Sequence, residues 1–112
     1  MRVKIKRHGD FTIIRLNGKL TTGGPDVLLR QKLGELLEQG IQRIVLNLKN
    51  VPWMDSGGIG ELVACQKRAA RVGAEVRLIN VRGRPYDQLQ LVKLFDYFHI
   101  FRNEGEAIGS FQ

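Results

Sequence analysis

The sequence predicts an α/β sandwich: a mixed, mostly parallel sheet of four to five strands, with an N-terminal antiparallel edge hairpin and about four helices. Three observations predict it. Near the N-terminus Val3 and Ile5 alternate with Arg2, Lys4 and Lys6, the period-two signature of a half-exposed strand. Ile44-Val45-Leu46-Asn47-Leu48 is a nearly continuous apolar run, as in a strand covered on both faces. Between and after these runs come segments with apolar residues at helical spacing. Strands that alternate with helices imply a parallel core sheet with right-handed crossovers.

In chain order, His8-Gly9-Asp10 reads as a turn, and Phe11 to Leu20 as the second strand of the hairpin. Thr21-Thr22-Gly23-Gly24-Pro25-Asp26 breaks that strand and opens a helix. Leu29, Leu33, Leu36 and Leu37 share one face of it, and Gly40 is placed to end it as a left-handed cap. The apolar strand follows. A loop over residues 49–55 then leads to a second helix that starts at Ser56 or just beyond. Its stripe is Ile59, Leu62, Val63, Ala69 and Ala70, with Glu61, Arg68 and Arg71 expected on the outer side, and Gly73 closes it. Val76 to Val81 is expected as a strand. Arg82-Gly83-Arg84-Pro85 leads into a helix carrying Leu91, Val92 and Phe95. Tyr97 to Phe101 suits a short last strand, and Glu104 to Phe111 a weak terminal helix.

With 112 residues, the chain is expected to be one domain, residues 1–112. A single cysteine, Cys65, leaves no internal disulfide framework and no multi-cysteine zinc site. The two histidines, His8 and His99, are far apart in sequence and give little from which to build a metal centre. No metal, cofactor or catalytic residue is expected. No apolar h-region follows the basic N-terminus, and no run approaches the roughly 20 apolar residues of a membrane helix. A soluble, cytoplasmic domain is therefore the expectation.

Charge is less ordinary. Eighteen Lys and Arg against 11 Asp and Glu give +7, which points to an anionic partner. Lys67, Arg68, Arg71, Arg77, Arg82 and Arg84 cluster against the lone Glu75, and Arg2, Lys4, Lys6 and Arg7 form a second basic stretch. Either stretch also suits a solvated face.

The informative stretch is Val51-Pro52-Trp53-Met54-Asp55-Ser56-Gly57-Gly58-Ile59-Gly60-Glu61-Leu62. Asp and Ser are good helix N-caps, because their oxygens satisfy the first free backbone N–H groups. Yet a helix that only needed starting would not carry Gly57, Gly58 and Gly60, each of which costs about 1 kcal/mol relative to alanine. Glycines there expose Ser56 to an approaching molecule. A phosphate-cradling loop fails because no Gly-Lys-Ser/Thr ends the run. The dinucleotide fingerprint lacks its third glycine. A hydrolase elbow needs glycine two residues before the serine, where Met54 stands. The chain does not read as an enzyme.

In this stretch, in Leu16-Asn17-Gly18-Lys19-Leu20 and in the Ile44–Leu48 strand that leads to the serine, the chain resembles the STAS domain family, the anti-sigma-factor antagonists of bacteria. The likeness runs over residues 3–102. It implies a STAS-like sandwich and a non-enzymatic regulator. The unmodified form binds an anti-sigma factor that is also a serine kinase, and phosphorylation of Ser56 releases it. A phosphatase to reverse the step would fit the same scheme. Two departures bear on the partner: Thr21 stands where members commonly carry an acid, and many members are acidic or near neutral. An alternative is an accessory STAS module that binds a small anionic ligand or nucleotide, or serves a transporter system. Direct nucleic-acid binding is suggested by charge alone and, without a recognition motif, is not expected.

If the second, third and fourth strands are parallel, their C-terminal loops share one edge. That would bring Thr21, Thr22, Trp53, Asp55, Ser56, Gly57, Gly58, Arg82 and Arg84 together as a partner surface. Arg82 and Arg84 suit an acidic partner or a phosphate, or plain solvent. Trp53 suits either a partner anchor or packing under the sheet. Cys65 reads as a core thiol.

Overall fold

A computed structural model describes residues 1–111. The elements are β1 (Arg2–His8), β2 (Phe11–Asn17), α1 (Pro25–Glu38), β3 (Arg43–Asn50), α2 (Ser56–Arg71), β4 (Glu75–Ile79), α3 (Gly83–Leu91), β5 (Ile100–Phe101) and α4 (Glu104–Gly109), with a 3-10 turn at Phe95–Tyr97. The strands form one sheet in the order β1-β2-β3-β4-β5. β1 is antiparallel to β2, and β2 through β5 are parallel. No helix among the described residues is long and apolar enough to cross a membrane.

Alternation along the strands divides the core in two. Ile14, Leu16, Ile44, Leu46, Val76 and Leu78 pack with Leu29, Leu33 and Leu36 of α1, with Ile59, Leu62, Cys65 and Ala69 of α2, and with Leu89 of α3. The intervening Ile13, Val45 and Ile79 face the other way, against Ala107 and Phe111. Three helices thus cover one face. α4 covers only part of the other.

Helix endings explain several boundaries. Gly40 (φ +82°) and Gly73 (φ +75°) follow α1 and α2 in the left-handed conformation. Around each, paired bonds close the helix: Gly40 N–H to Leu37 O and Ile41 N–H to Leu36 O, then Gly73 N–H to Ala70 O and Ala74 N–H to Ala69 O. α3 ends by the same pair of bonds, from Lys93 to Gln90 and from Leu94 to Leu89, although Lys93 is no glycine and still sits at φ 59°. That turn stops α3 at Leu91. Val92 becomes its cap, Phe95 falls in the 3-10 turn, and the strand expected over residues 97–101 shrinks to Ile100–Phe101.

Two other expectations need correction. β2 ends at Asn17, because Gly18 turns out of the strand (φ +119°) and Leu20 rejoins the sheet only through one parallel bridge to Met54. On α2 the stripe is displaced: Glu61 is buried and Ala70 is exposed. Glu61 points inward because Arg30 of α1 and Arg68 of its own helix both bond its carboxylate. A buried carboxylate is tolerated when paired in this way.

Candidate functional site

Parallel pairing of β2, β3 and β4 does bring their C-terminal loops to one edge. The loop before α2 is held there from both sides. Leu20 N–H donates to Trp53 O and Asp55 N–H to Leu20 O, both at 3.2 Å. On the opposite side the Gln88 side chain of α3 grips Met54 like a neighbouring strand. Met54 N–H donates to Gln88 Oε1 at 2.9 Å, and Gln88 Nε2 donates to Met54 O. Met54 itself is buried in the core.

Asp55 is the N-cap of α2, and its Oδ1 accepts from Gly58 N–H at 2.8 Å. The same carboxylate accepts from Thr22 N–H, at 2.9 Å to Oδ2, and thereby ties the loop after β2 to the start of α2. The amides of Thr22 and then Gly58 hold the Asp55 carboxyl below the usual carboxylate range. Thr21 is half-buried, and its carbonyl accepts from Asp26 N–H as the chain turns into α1. Ser56 is the first residue of α2 and is exposed; Asp55, and not Ser56, performs the capping.

The glycines separate by cause. A Cβ on Gly58 would lie 1.9 Å from Leu20 O, and one on Gly57 would lie 1.8 Å from Thr22 Oγ1. These two residues are small because their own chain passes against them, which replaces the expectation that they open Ser56 to a visitor. Only Gly60 has open space around it. It is exposed, one helical turn beyond Ser56.

Trp53 is half-buried between two cations, with Lys19 Nζ and the Arg84 guanidinium carbon each 5.5 Å from its ring. Arg84 is therefore brought to the loop that carries Ser56. Arg82 is engaged elsewhere, donating to Asn80 Oδ1 at 2.7 Å, while Asn80 donates to Asn47 Oδ1.

Sequence reasoning missed the neighbour of Ser56. A groove of about 490 Å³ runs from Asp55 and Ser56 between α2 and α3, lined by Ile59, Gly60, Val63, Leu91 and Val92. Leu91 is 82% exposed and Val92 48%. The adjacent apolar pair at the end of α3 was the available signal, and it read as helix core. In the core under α2, burial and the nearby Glu61 charge push the Cys65 thiol up to about 12, so it stays protonated.

Comparison with known proteins adds the following. The STAS domain profile matches residues 2–107. The anti-sigma F factor antagonist of Paenibacillus polymyxa is 28% identical over 96% of this chain and 92% of its own. The anti-sigma-B factor antagonist of Bacillus subtilis is 31% identical over 86% of this chain and 81% of its own. Among solved structures, the Bacillus cell fate determinant SpoIIAA in its phosphorylated form superposes with a TM-score of 0.73. It is 22% identical and covers 99% of this chain and 100% of its own.

Proposed function

The chain belongs to the STAS domain family, and from that premise we propose that it is an anti-sigma-factor antagonist whose binding is switched at Ser56. The unmodified protein binds an anti-sigma factor with serine-kinase activity and so frees a sigma factor. The kinase then transfers a phosphoryl group to Ser56 Oγ: the new O–P bond forms as the bond to the nucleoside diphosphate breaks, and the hydroxyl proton leaves to the kinase. The phosphorylated protein dissociates.

The observation that carries this reading is one exposed serine at the first position of α2, beside an open apolar groove, in a loop anchored on both sides. Phosphate adds about −1.5 to −2 charges. At a helix N-terminus that charge is offset by roughly 0.3–2 kcal/mol from the macrodipole and free N–H groups. Against a partner seated in the groove it has no such offset, and a loss of about 2.8 kcal/mol already lowers affinity a hundredfold. Binding is lost while the fold is kept. Trp53, Arg84, Thr21 and Thr22 frame the contact, with Asp55, Gly57 and Gly58 supporting it and Arg82 at its margin. The setting of the protein is cytoplasmic, and a phosphatase restores the binding form.

The test uses the purified anti-sigma kinase with a nucleoside triphosphate. Mass spectrometry should place phosphate on Ser56, Ser56→Ala should bind without being modified, and Ser56→Asp should lose binding a hundredfold or more. Ser110, Thr12, Thr21 and Thr22 are the other hydroxyl candidates. Phosphate on Thr21 or Thr22, with Ser56 untouched, overturns the assignment.

A second reading, a module for a small anionic ligand, has one observation in its favour: a cavity of about 630 Å³ lined by Asn80, Arg82, Tyr86, Phe95 and Arg102 beyond the ends of β4 and β5. Its cations are already engaged, Arg102 with Glu106 and Arg82 with Asn80.

A further inference from the structure

We propose that the sheet face opposite α1 and α2 binds single-stranded nucleic acid. The pairing register places Lys6 beside Ile13 and Lys4 beside Arg15. Ile13 belongs to the core on the α4 side, so these rows face that way. By alternation Arg2 faces the same way. Arg2, Lys4, Lys6 and Arg15 are all exposed, and among the described residues none has an acidic partner within 4.0 Å. Arg2, Lys4 and Lys6 of the basic N-terminal stretch thus gather with Arg15 on one surface that the switch at Ser56 does not use.

Shape and chemistry choose the occupant. α4 packs chiefly on β4 and β5, and Val45 and Asn47 of β3 are buried, so the open floor is β1 and the Arg15 end of β2, roughly 5–10 Å wide. A shallow groove of about 330 Å³ lies there, lined by Lys4, Lys6, Ile13, Arg15 and, on the α4 wall, Glu104. A flat bilayer would meet α4 and its Glu104 before reaching the floor, since a packed helix stands on the order of 10 Å above it. A linear chain lies in the groove. Asn17 stands beside the cations, and amides with Lys and Arg are the usual donors to phosphate. At the hairpin end His8 is exposed and stacks on Phe11 at 5.8 Å, and Phe11 stacks on Phe111 at 6.3 Å. An exposed ring at the end of a cationic track offers a base a surface to stack on, which an acidic polypeptide does not use.

The experiment is fluorescence anisotropy of a labelled oligothymidylate about 20 nucleotides long, with the full chain, between about 50 and 200 mM salt. Binding is expected, with log K falling against log salt by about 0.7 for each phosphate contacted. Lys4→Glu with Arg15→Glu should weaken it tenfold or more at the lowest salt, and His8→Ala about fivefold. Lys67→Glu with Arg71→Glu, the same charge change on α2, should change it less than threefold. If the first pair lowers the melting temperature, Lys4→Gln with Arg15→Gln replaces it, and threefold or more weakening is expected. The proposal is overturned by absence of binding at the lowest salt or by equal loss in the α2 control. It is equally overturned if polyglutamate displaces the oligonucleotide as well as unlabelled oligothymidylate does, or if phosphatidylserine vesicles bind while the oligonucleotide does not.

Discussion

Asp55 and Ser56 are neighbours with opposite roles. The Asp55 side chain bonds Thr22 and Gly58, whereas Ser56 faces solvent at the first helical position. Asp55→Ala should therefore cost about 1–2 kcal/mol, the range for losing an N-cap. Ser56→Asp should stay within about 0.5 kcal/mol of the parent, as exposed substitutions do. Urea denaturation of the two variants checks both. Because folding lowers the Asp55 carboxyl, its contribution is complete above the unfolded value near 3.8 and is lost as pH falls below that through the folded value. Glycines give a second pair. Gly58→Ala forces a Cβ onto the Leu20 carbonyl and should destabilise by about 1–3 kcal/mol. Gly60→Ala meets nothing and should stabilise α2 by about 0.5–1 kcal/mol, while its added methyl group in the groove weakens partner binding. If both variants melt like the parent, the close approach of Leu20 to α2 is wrong.

Helix ends were legible where glycine marked them and hidden where it did not. Gly40 and Gly73 stand where the sequence places them, because a left-handed residue is cheapest as glycine. Lys93 performs the same turn without that signal, so α3 was read four residues too long, to Phe95. Its strain predicts that Lys93→Gly stabilises the protein by about 1 kcal/mol, measurable as a raised denaturation midpoint. Burial on α2 was misread for a related reason. Helical spacing sorts residues by type, and the partner that makes Glu61 welcome inside, Arg30, lies 31 residues earlier on another helix. Gln88 shows the same blindness, since nothing in its neighbourhood says that it bonds the backbone of Met54.

For the whole molecule, strand and helix order was readable because period-two and period-3.6 patterns alternate cleanly, and parallel pairing followed from the crossovers. The common edge of the loops was readable for the same reason. What no local pattern revealed was which loop side chains meet there, nor that four basic residues from two strands share one face. At the edge, Arg82→Glu with Arg84→Glu should slow association with an acidic partner by tenfold or more at low salt, an effect that shrinks as the Debye length falls to about 8 Å near 0.15 M. Stopped-flow mixing measures it, with Arg2→Glu and Lys4→Glu as the control of equal charge. Equal slowing in that control would make net charge, and not Arg84 beside Trp53, the cause. The buried thiol makes such kinetics simple to follow. Cys65 is the chain's one cysteine, and, held protonated out of reach of solvent, it is silent toward alkylating dyes. A cysteine introduced at Gly60 would then be the sole labelling position, and a fluorophore there would report each arrival and departure at the groove.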